Sequence, residues 1–67
     1  MYQVYWTTPM GVQTATTDSY YAAVSIATAL QSYHNCAGFI RCPDGQDRFA
    51  WTDSKGHVLR VKKGIAA

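Results

Sequence analysis

The stretch FIRCPDGQDRFAWTDSKGHVLRVK, residues 39–62, decides the fold because two turn signals divide it into short segments rich in apolar residues. The signals are CPDG at positions 42–45 and DSKG at positions 53–56, and both end in glycine. This pattern is typical of a type I turn followed by a left-handed glycine, which closes a three-residue hairpin loop. The sequence therefore predicts two consecutive β-hairpins.

The two turns also predict which residues face each other across the strands. The first turn places Arg41 opposite Asp47 and Ile40 opposite Arg48, and Phe39 then falls opposite Phe49. Because side chains alternate between the two faces of a strand, both turns sort the residues into two sets. The large apolar set, expected to pack under a helix, is Phe39, Phe49, Trp51, Leu59 and Val61. The other set, expected on the open face, is Ile40, Arg48, Ala50, Val58, Arg60 and Lys62.

A third turn signal, TPMG at positions 8–11, predicts a hairpin at the start of the chain. Val4, Trp6 and Val12 share one parity along its strands and are expected in the core. Tyr5 has the opposite parity, which places it on the open face.

One helix is predicted between the first hairpin and the other two. The run from Ser19 to His34 has one apolar stripe at helical spacing, and Asn35 is a residue that can end a helix. Thr17, Asp18 and Ser19 are all suitable N-cap residues. The stripe consists of Tyr20, Ala23, Ile26, Ala27, Leu30 and Tyr33.

Together these elements predict a single small α+β domain over residues 1–63, followed by a short tail, residues 64–67. The predicted order is ββαβββ, with one helix on one face of a mainly antiparallel sheet. This order resembles the β-grasp layout in topology, and such a resemblance implies no activity. The predicted strands are 2–8, 12–16, 37–42, 47–52 and 57–62.

Length and composition restrict the class of protein. A chain of 67 residues with 48% hydrophobic residues supports one core. It contains no apolar run of about 20 residues and no basic, signal-like start, so we expect a cytoplasmic protein with no membrane partner. Cys36 and Cys42 are expected to be reduced thiols, since two cysteines do not make a disulfide framework.

Charge is concentrated in the second half of the chain. The net charge is +2, and all six basic residues lie from Arg41 onward. The predicted register gathers Arg48, Arg60 and Lys62 on the open face, with Lys63 next in sequence and Tyr5 as an aromatic neighbour. Arginine binds carboxylate or phosphate through a planar fork, and arginine and tyrosine are enriched at interfaces. We therefore predict a partner-binding surface here. The alternative is an ordinary solvated strand face, on which lysine and arginine also protect the sheet edges from pairing with other strands.

Tyr21 is a separate candidate for contact with a partner. Helical spacing places it away from the apolar stripe, and an exposed tyrosine can anchor a partner.

Metal binding and catalysis have weaker support. His34, Cys36, Cys42 and His57 suit zinc, but they lack paired spacing such as C-x-x-C. Asp53, Ser54 and His57 surround one turn, yet the chain offers no phosphate-binding loop and no nucleophile elbow. We expect no metal, no cofactor and no enzymatic activity.

The sequence thus favours a stoichiometric protein-binding module, an inhibitor or accessory factor, whose partner has an acidic surface. Small domains of this kind are carried by phages and mobile elements, which is an analogy of size and composition only. A nucleic-acid-binding domain using the basic face is the alternative, although most aromatic residues are assigned to the core and not to a stacking surface. A structural homo-oligomer, such as a homodimer, in which the Thr-rich second strand pairs with its copy, is a further hypothesis.

Overall fold

The computed structural model describes residues 1–62 and shows one helix packed on a four-stranded antiparallel sheet. The predicted α+β architecture is confirmed. Lys63 and the predicted tail, residues 64–67, lie outside the described residues. The sheet order is β2-β1-β3-β4. The elements are β1 (Tyr2–Thr8), β2 (Gly11–Thr17), α1 (Tyr20–Tyr33), β3 (Gly38–Arg41) and β4 (Asp47–Trp51).

Helix α1 is capped by Ser19, whose side-chain oxygen accepts the backbone N–H of Ala22 at 3.0 Å. The helix ends at Tyr33, and His34 follows in an extended conformation with φ of −133°. No residue of α1 is charged, so its stability depends on packing against the sheet and not on ion pairs. Asn35 does not take the left-handed conformation expected of it, since Phe49 is the only non-glycine residue with positive φ in residues 1–62.

The core lies between α1 and the middle of the sheet. Val4 and Ile40 are fully buried and face each other across β1 and β3, and both pack with Ala23 and Ala27. The predicted helix stripe is confirmed as far as Leu30, but Tyr33 is 82% exposed because it is the last residue of the helix. The rest of the buried cluster is Cys36, Cys42 and Trp51, against which Tyr2, Trp6, Tyr20, Val24, Ile26 and Leu30 pack.

The first hairpin confirms Val4 and Trp6 as core residues, but not Val12. Strand β2 begins at Gly11 and not at Val12, so the turn holds two residues and Val12 pairs with Thr7. Val12 therefore lies on the side of the sheet opposite Val4, where it is 48% exposed.

The middle hairpin confirms the predicted pairs Arg41–Asp47 and Ile40–Arg48. Beyond them the register shifts, because Phe49 has a φ of +54° and forms part of a bulge that pairs Trp51 with Gly38. A bulge inserts one extra residue and changes the direction of the following side chains.

The bulge reverses part of the predicted face assignment. Trp51 reaches the core as expected, but Ile40 shares its face, and Phe39 lies with Tyr5 on the face away from the helix. The predictions that Phe39 packs under the helix and that Ile40 and Arg48 face away from it are therefore wrong.

The ring of Trp51 crosses β3 at Gly38. A Cβ atom built on Gly38 would lie 2.6 Å from Cη2 of Trp51, closer than Cβ atoms in proteins approach other atoms. The indole can pack there only because position 38 has no side chain.

Residues 57–62 do not form the predicted fifth strand, although the turn before them does form. The N–H of Gly56 donates to the carbonyl of Asp53 at 3.0 Å, and Gly56 has a φ of +81°. Thereafter the chain leaves the sheet ladder and is held instead by Arg41, whose Nη2 donates to the carbonyl of Val61 at 2.6 Å. We call residues 57–62 the 57–62 segment; it lies beside Phe39, away from the helix.

Candidate functional site

Arg48 lies on the helix side of the sheet, in a groove of about 620 Å³. Its position follows from its pairing with Ile40, whose side chain points into the core on the same side. Strand β4 is an edge strand, so a long side chain on this face reaches solvent beyond the helix. We call this the Arg48 groove; it is lined by Tyr2, Tyr20, Cys42, Pro43, Asp44 and Arg48.

Two tyrosine rings form the aromatic part of the Arg48 groove. Tyr2 is the first residue of β1 and Tyr20 is the first residue of α1, so the groove lies where these two elements begin. Their ring centroids are 5.7 Å apart and the rings are inclined by 58°, an arrangement that aromatic pairs favour. Both side chains are half-buried, which leaves part of each ring accessible to a ligand.

The guanidinium of Arg48 has no intramolecular partner: among residues 1–62, none forms a hydrogen bond or an ion pair with it. Asp44 lines the same groove, but its Oδ1 accepts the backbone N–H of Gln46 at 2.9 Å. A guanidinium carries five N–H donors. The groove therefore combines free cationic donors with an aromatic wall, which suits a carboxylate carried by an apolar or aromatic surface.

Arg41, one strand away, is in the opposite situation. Its Nε and Nη2 donate to the two carboxylate oxygens of Asp47 at 2.8 and 3.2 Å, and this interaction raises the pKa of Arg41. Its Cζ lies 5.2 Å from the ring centroid of Tyr5 and 5.1 Å from that of Phe39. With its bond to Val61, Arg41 is a structural residue that joins β3, β4 and the 57–62 segment.

Tyr5, a predicted binding residue, belongs to this structural arrangement. Its ring stacks on Phe39 with centroids 5.1 Å apart, and its hydroxyl donates to Oε1 of Gln3 at 3.2 Å. Arg41 covers both rings. Sequence reasoning did not identify Arg41 as important, although the predicted Arg41–Asp47 pairing already placed opposite charges across from each other.

The predicted basic face is not assembled within residues 1–62. Arg60 lies with Phe39 and Asp47 at a cleft of about 280 Å³ on the side away from the helix, whereas Arg48 lies on the helix side. The bulge in β4 and the absence of a strand at 57–62 are the physical reasons for this separation. Lys62 is exposed, and Tyr21 is 86% exposed on the outer side of α1, apart from both arginines.

A third cleft, of about 540 Å³, lies between the end of α1 and the DSKG turn. Asp53 supports this turn by accepting the backbone N–H groups of Lys55 and His57, both at 2.9 Å, and by contacting Nδ1 of His57 at 2.9 Å. The bond from the His57 backbone, followed by that from its side chain, lowers the pKa of Asp53. Oδ1 of Asn35 accepts the N–H of Ser54 at 2.7 Å and ties the turn to the helix end.

The candidate zinc ligands are not gathered into a site in the described part of the chain. No group of three or more His, Cys, Asp or Glu residues in positions 1–62 is arranged to hold a metal ion. Cys36 and Cys42 are free cysteines whose side chains are buried in the core.

Comparison with known proteins assigns no family to the chain. No protein-family model matches it, and neither the curated proteins nor the solved structures include a significant match. Within residues 1–62, no helix has the length and apolar character needed to cross a bilayer.

Proposed function

We propose that this domain is a non-enzymatic, stoichiometric protein-binding module, an inhibitor or accessory factor, that holds an acidic partner through the Arg48 groove. The observation that carries the proposal is the guanidinium of Arg48, which has no hydrogen-bond or ion-pair partner among residues 1–62 and lines the same groove as the rings of Tyr2 and Tyr20. Arginine and tyrosine are the residue types that most often dominate binding energy at protein interfaces.

The chemistry of the groove favours a carboxylate side chain on the partner. A carboxylate accepts two parallel N–H bonds from a guanidinium, and such charge-assisted pairs are among the strong hydrogen bonds of proteins. The two rings add apolar contact area at low conformational-entropy cost. Arg41 cannot serve this role, because Asp47 and Val61 already accept hydrogen bonds from it.

The sheet face away from the helix favours a protein partner over nucleic acid, because its aromatic rings are covered. Binding of single-stranded bases to a sheet uses exposed aromatic rings beside basic residues. Phe39 is only 3% exposed, and Arg41 lies over both Phe39 and Tyr5. That face therefore offers little ring surface for stacking, and it carries Arg60 but not Arg48, which lies on the helix side.

Charge reversal at the two separated arginines tests the proposal. The variants Arg48→Glu and Arg60→Glu change the net charge equally, but they alter opposite sides of the sheet. Proteins captured by the wild-type domain from a lysate of its source cells are identified by mass spectrometry, and binding of the purified partner is then measured. We expect Arg48→Glu to weaken that binding about tenfold or more, equivalent to about 1.4 kcal/mol, with Arg60→Glu close to wild type.

Two further measurements complete this experiment. Circular dichroism of both variants verifies that they are folded, and titration with single-stranded and duplex DNA and with RNA at low salt examines the alternative function. Equal loss of binding in both variants, or loss in Arg60→Glu alone, would remove the Arg48 groove as the contact site. Salt-sensitive nucleic-acid binding without any captured protein would replace the proposal with the alternative.

A further inference from the structure

The two edges of the sheet differ in how they are protected against pairing with another strand. Strand β2 is seven residues long, pairs with β1 without interruption from Tyr2↔Thr17 to Thr8↔Gly11, and contains no charged residue and no proline. Proteins usually block an exposed edge with charges, proline, bulges or very short strands. Edge β2 has none of these features.

The opposite edge, β4, has several of them. It is five residues long, begins with the charged pair Asp47 and Arg48, and contains the bulge at Phe49, whose φ is +54°. The 57–62 segment also lies beside it. The same fold thus blocks one edge and leaves the other able to accept a strand.

We propose that β2 pairs antiparallel with β2 of a second copy of this chain, so that the two four-stranded sheets form one continuous sheet. The backbone N–H and C=O groups on the outer side of β2 would then be satisfied by the same groups of its partner. A two-fold axis through the centre of the strand makes the contact self-complementary and closed.

The side chains of β2 fit such a register centred on Thr14. In that register Thr14 faces its own copy and Val12 faces Thr16. All three lie on the face away from the helix and are exposed, and all three are β-branched. Cross-strand pairs of β-branched residues stabilise antiparallel sheets. Because the strand has no charge, self-pairing brings no like charges together.

A second copy is favoured over a strand from a different protein. Selective addition of a foreign strand relies on charges or side-chain pockets beside the edge that read the incoming sequence. Strand β2 contains no charged residue that could select a foreign strand, and its own sequence pairs well with a second copy in the register centred on Thr14. Arg48 lies on the opposite edge strand, and the lining of the Arg48 groove includes no residue of β2, so this inference does not depend on the proposed function.

The oligomeric state of the full chain in solution tests the inference. Sedimentation velocity and light scattering over micromolar to millimolar concentrations should show the mass rise from 7.4 kDa towards twice that value. Thr14→Lys places two ammonium groups opposite each other at the two-fold axis, and we expect it to raise the dissociation constant about fivefold or more. The matched control is Thr28→Lys on the exposed side of α1, which should dimerise like wild type.

Thr14→Cys gives a second readout that does not depend on weakening the fold. Directly opposed residues in antiparallel strands have Cβ atoms about 5 Å apart, so mild oxidation should crosslink this variant as a covalent dimer. Thr28→Cys should remain uncrosslinked, and Cys36 and Cys42 are buried in both variants. A mass of 7.4 kDa at every concentration, or a dimer that Thr14→Lys leaves intact, would overturn the inference.

Discussion

Replacement of Gly38 by alanine tests whether the stability of the core depends on the packing of the Trp51 ring against Gly38 in β3. The added methyl would lie 2.6 Å from Cη2 of Trp51, and closer still to Cζ2 of the same ring and to the carbonyl oxygen of Tyr5. Gly38 is not among the glycines with positive φ, so its backbone conformation is open to alanine. Any loss of stability in this variant therefore reports the lack of space.

The expected size of the effect follows from two opposing contributions. Alanine in place of glycine stabilises a compatible site by about 0.4–1 kcal/mol, because the unfolded chain loses freedom. Overpacking of a dense core destabilises by about 1–3 kcal/mol, and here one obstructing atom belongs to the backbone of β1 and cannot rotate away. We expect a net loss of about 2 kcal/mol in the free energy of unfolding.

Urea denaturation followed by circular dichroism and tryptophan fluorescence measures this loss. With a slope of about 1 kcal/mol per molar urea for a domain of this size, the midpoint should fall by about 2 M. In a Trp51→Phe background the outer ring atoms that collide are absent, so the same alanine should destabilise less. Ser25→Ala on the exposed side of α1 serves as the neutral control. A Gly38→Ala midpoint at or above the wild-type value would refute the packing described for Trp51.

Two further predictions concern Arg41 and Asp53. Arg41→Met should destabilise the domain by about 1–3 kcal/mol, since Asp47 and the Val61 carbonyl lose charged donors. Trypsin should then cleave after Arg60 faster in this variant than in the control variant Arg48→Met. Equal cleavage rates in the two variants would contradict the structural role of Arg41. The pKa of Asp53 is lowered in the folded state, so its contribution to stability is present above the unfolded aspartate value of about 4 and is lost as the pH falls through the folded value. Urea midpoints of wild type should therefore fall relative to Asp53→Asn as the pH is taken from about 5 to about 2, and a constant difference would show that the carboxylate does not support the turn.

Local turn chemistry made part of the fold predictable. Pro43, Asp44 and Gly45 define a turn whose geometry allows little variation, so the pairs Arg41–Asp47 and Ile40–Arg48 could be read from the sequence and are confirmed. The helix was predictable for a similar reason, because Ser19 and the apolar spacing are signals contained within a few residues.

The errors arose where the backbone departed from regular alternation. Phe49 adopts a positive φ that its residue type does not favour, and no sequence signal indicates a bulge there. Val58 to Val61 alternate like a strand, yet a hydrogen bond from Arg41 holds Val61 outside the ladder. Such outcomes depend on contacts between distant residues, which single-sequence patterns do not encode.

The candidate site was likewise predictable only in part. The charge of Arg48 was enough to make it a candidate binding residue, but the parity that placed it on the open face was wrong. Its association with Tyr2 and Tyr20 could not, because that depends on which face of the sheet the helix covers. The bulge at Phe49 reversed that assignment and moved Arg48 from the predicted basic face to an aromatic groove.

Strands β2 and β4 lie at opposite edges of the sheet, so in the proposed dimer they would determine the distance between the two Arg48 side chains. Joining two copies along β2 places each β4 at an outer end, seven strand intervals or about 34 Å from the other. Each end would present one Arg48. A target carrying two acidic patches at that separation would engage both at once, and its residence time would then rise through effective concentration without any additional contact.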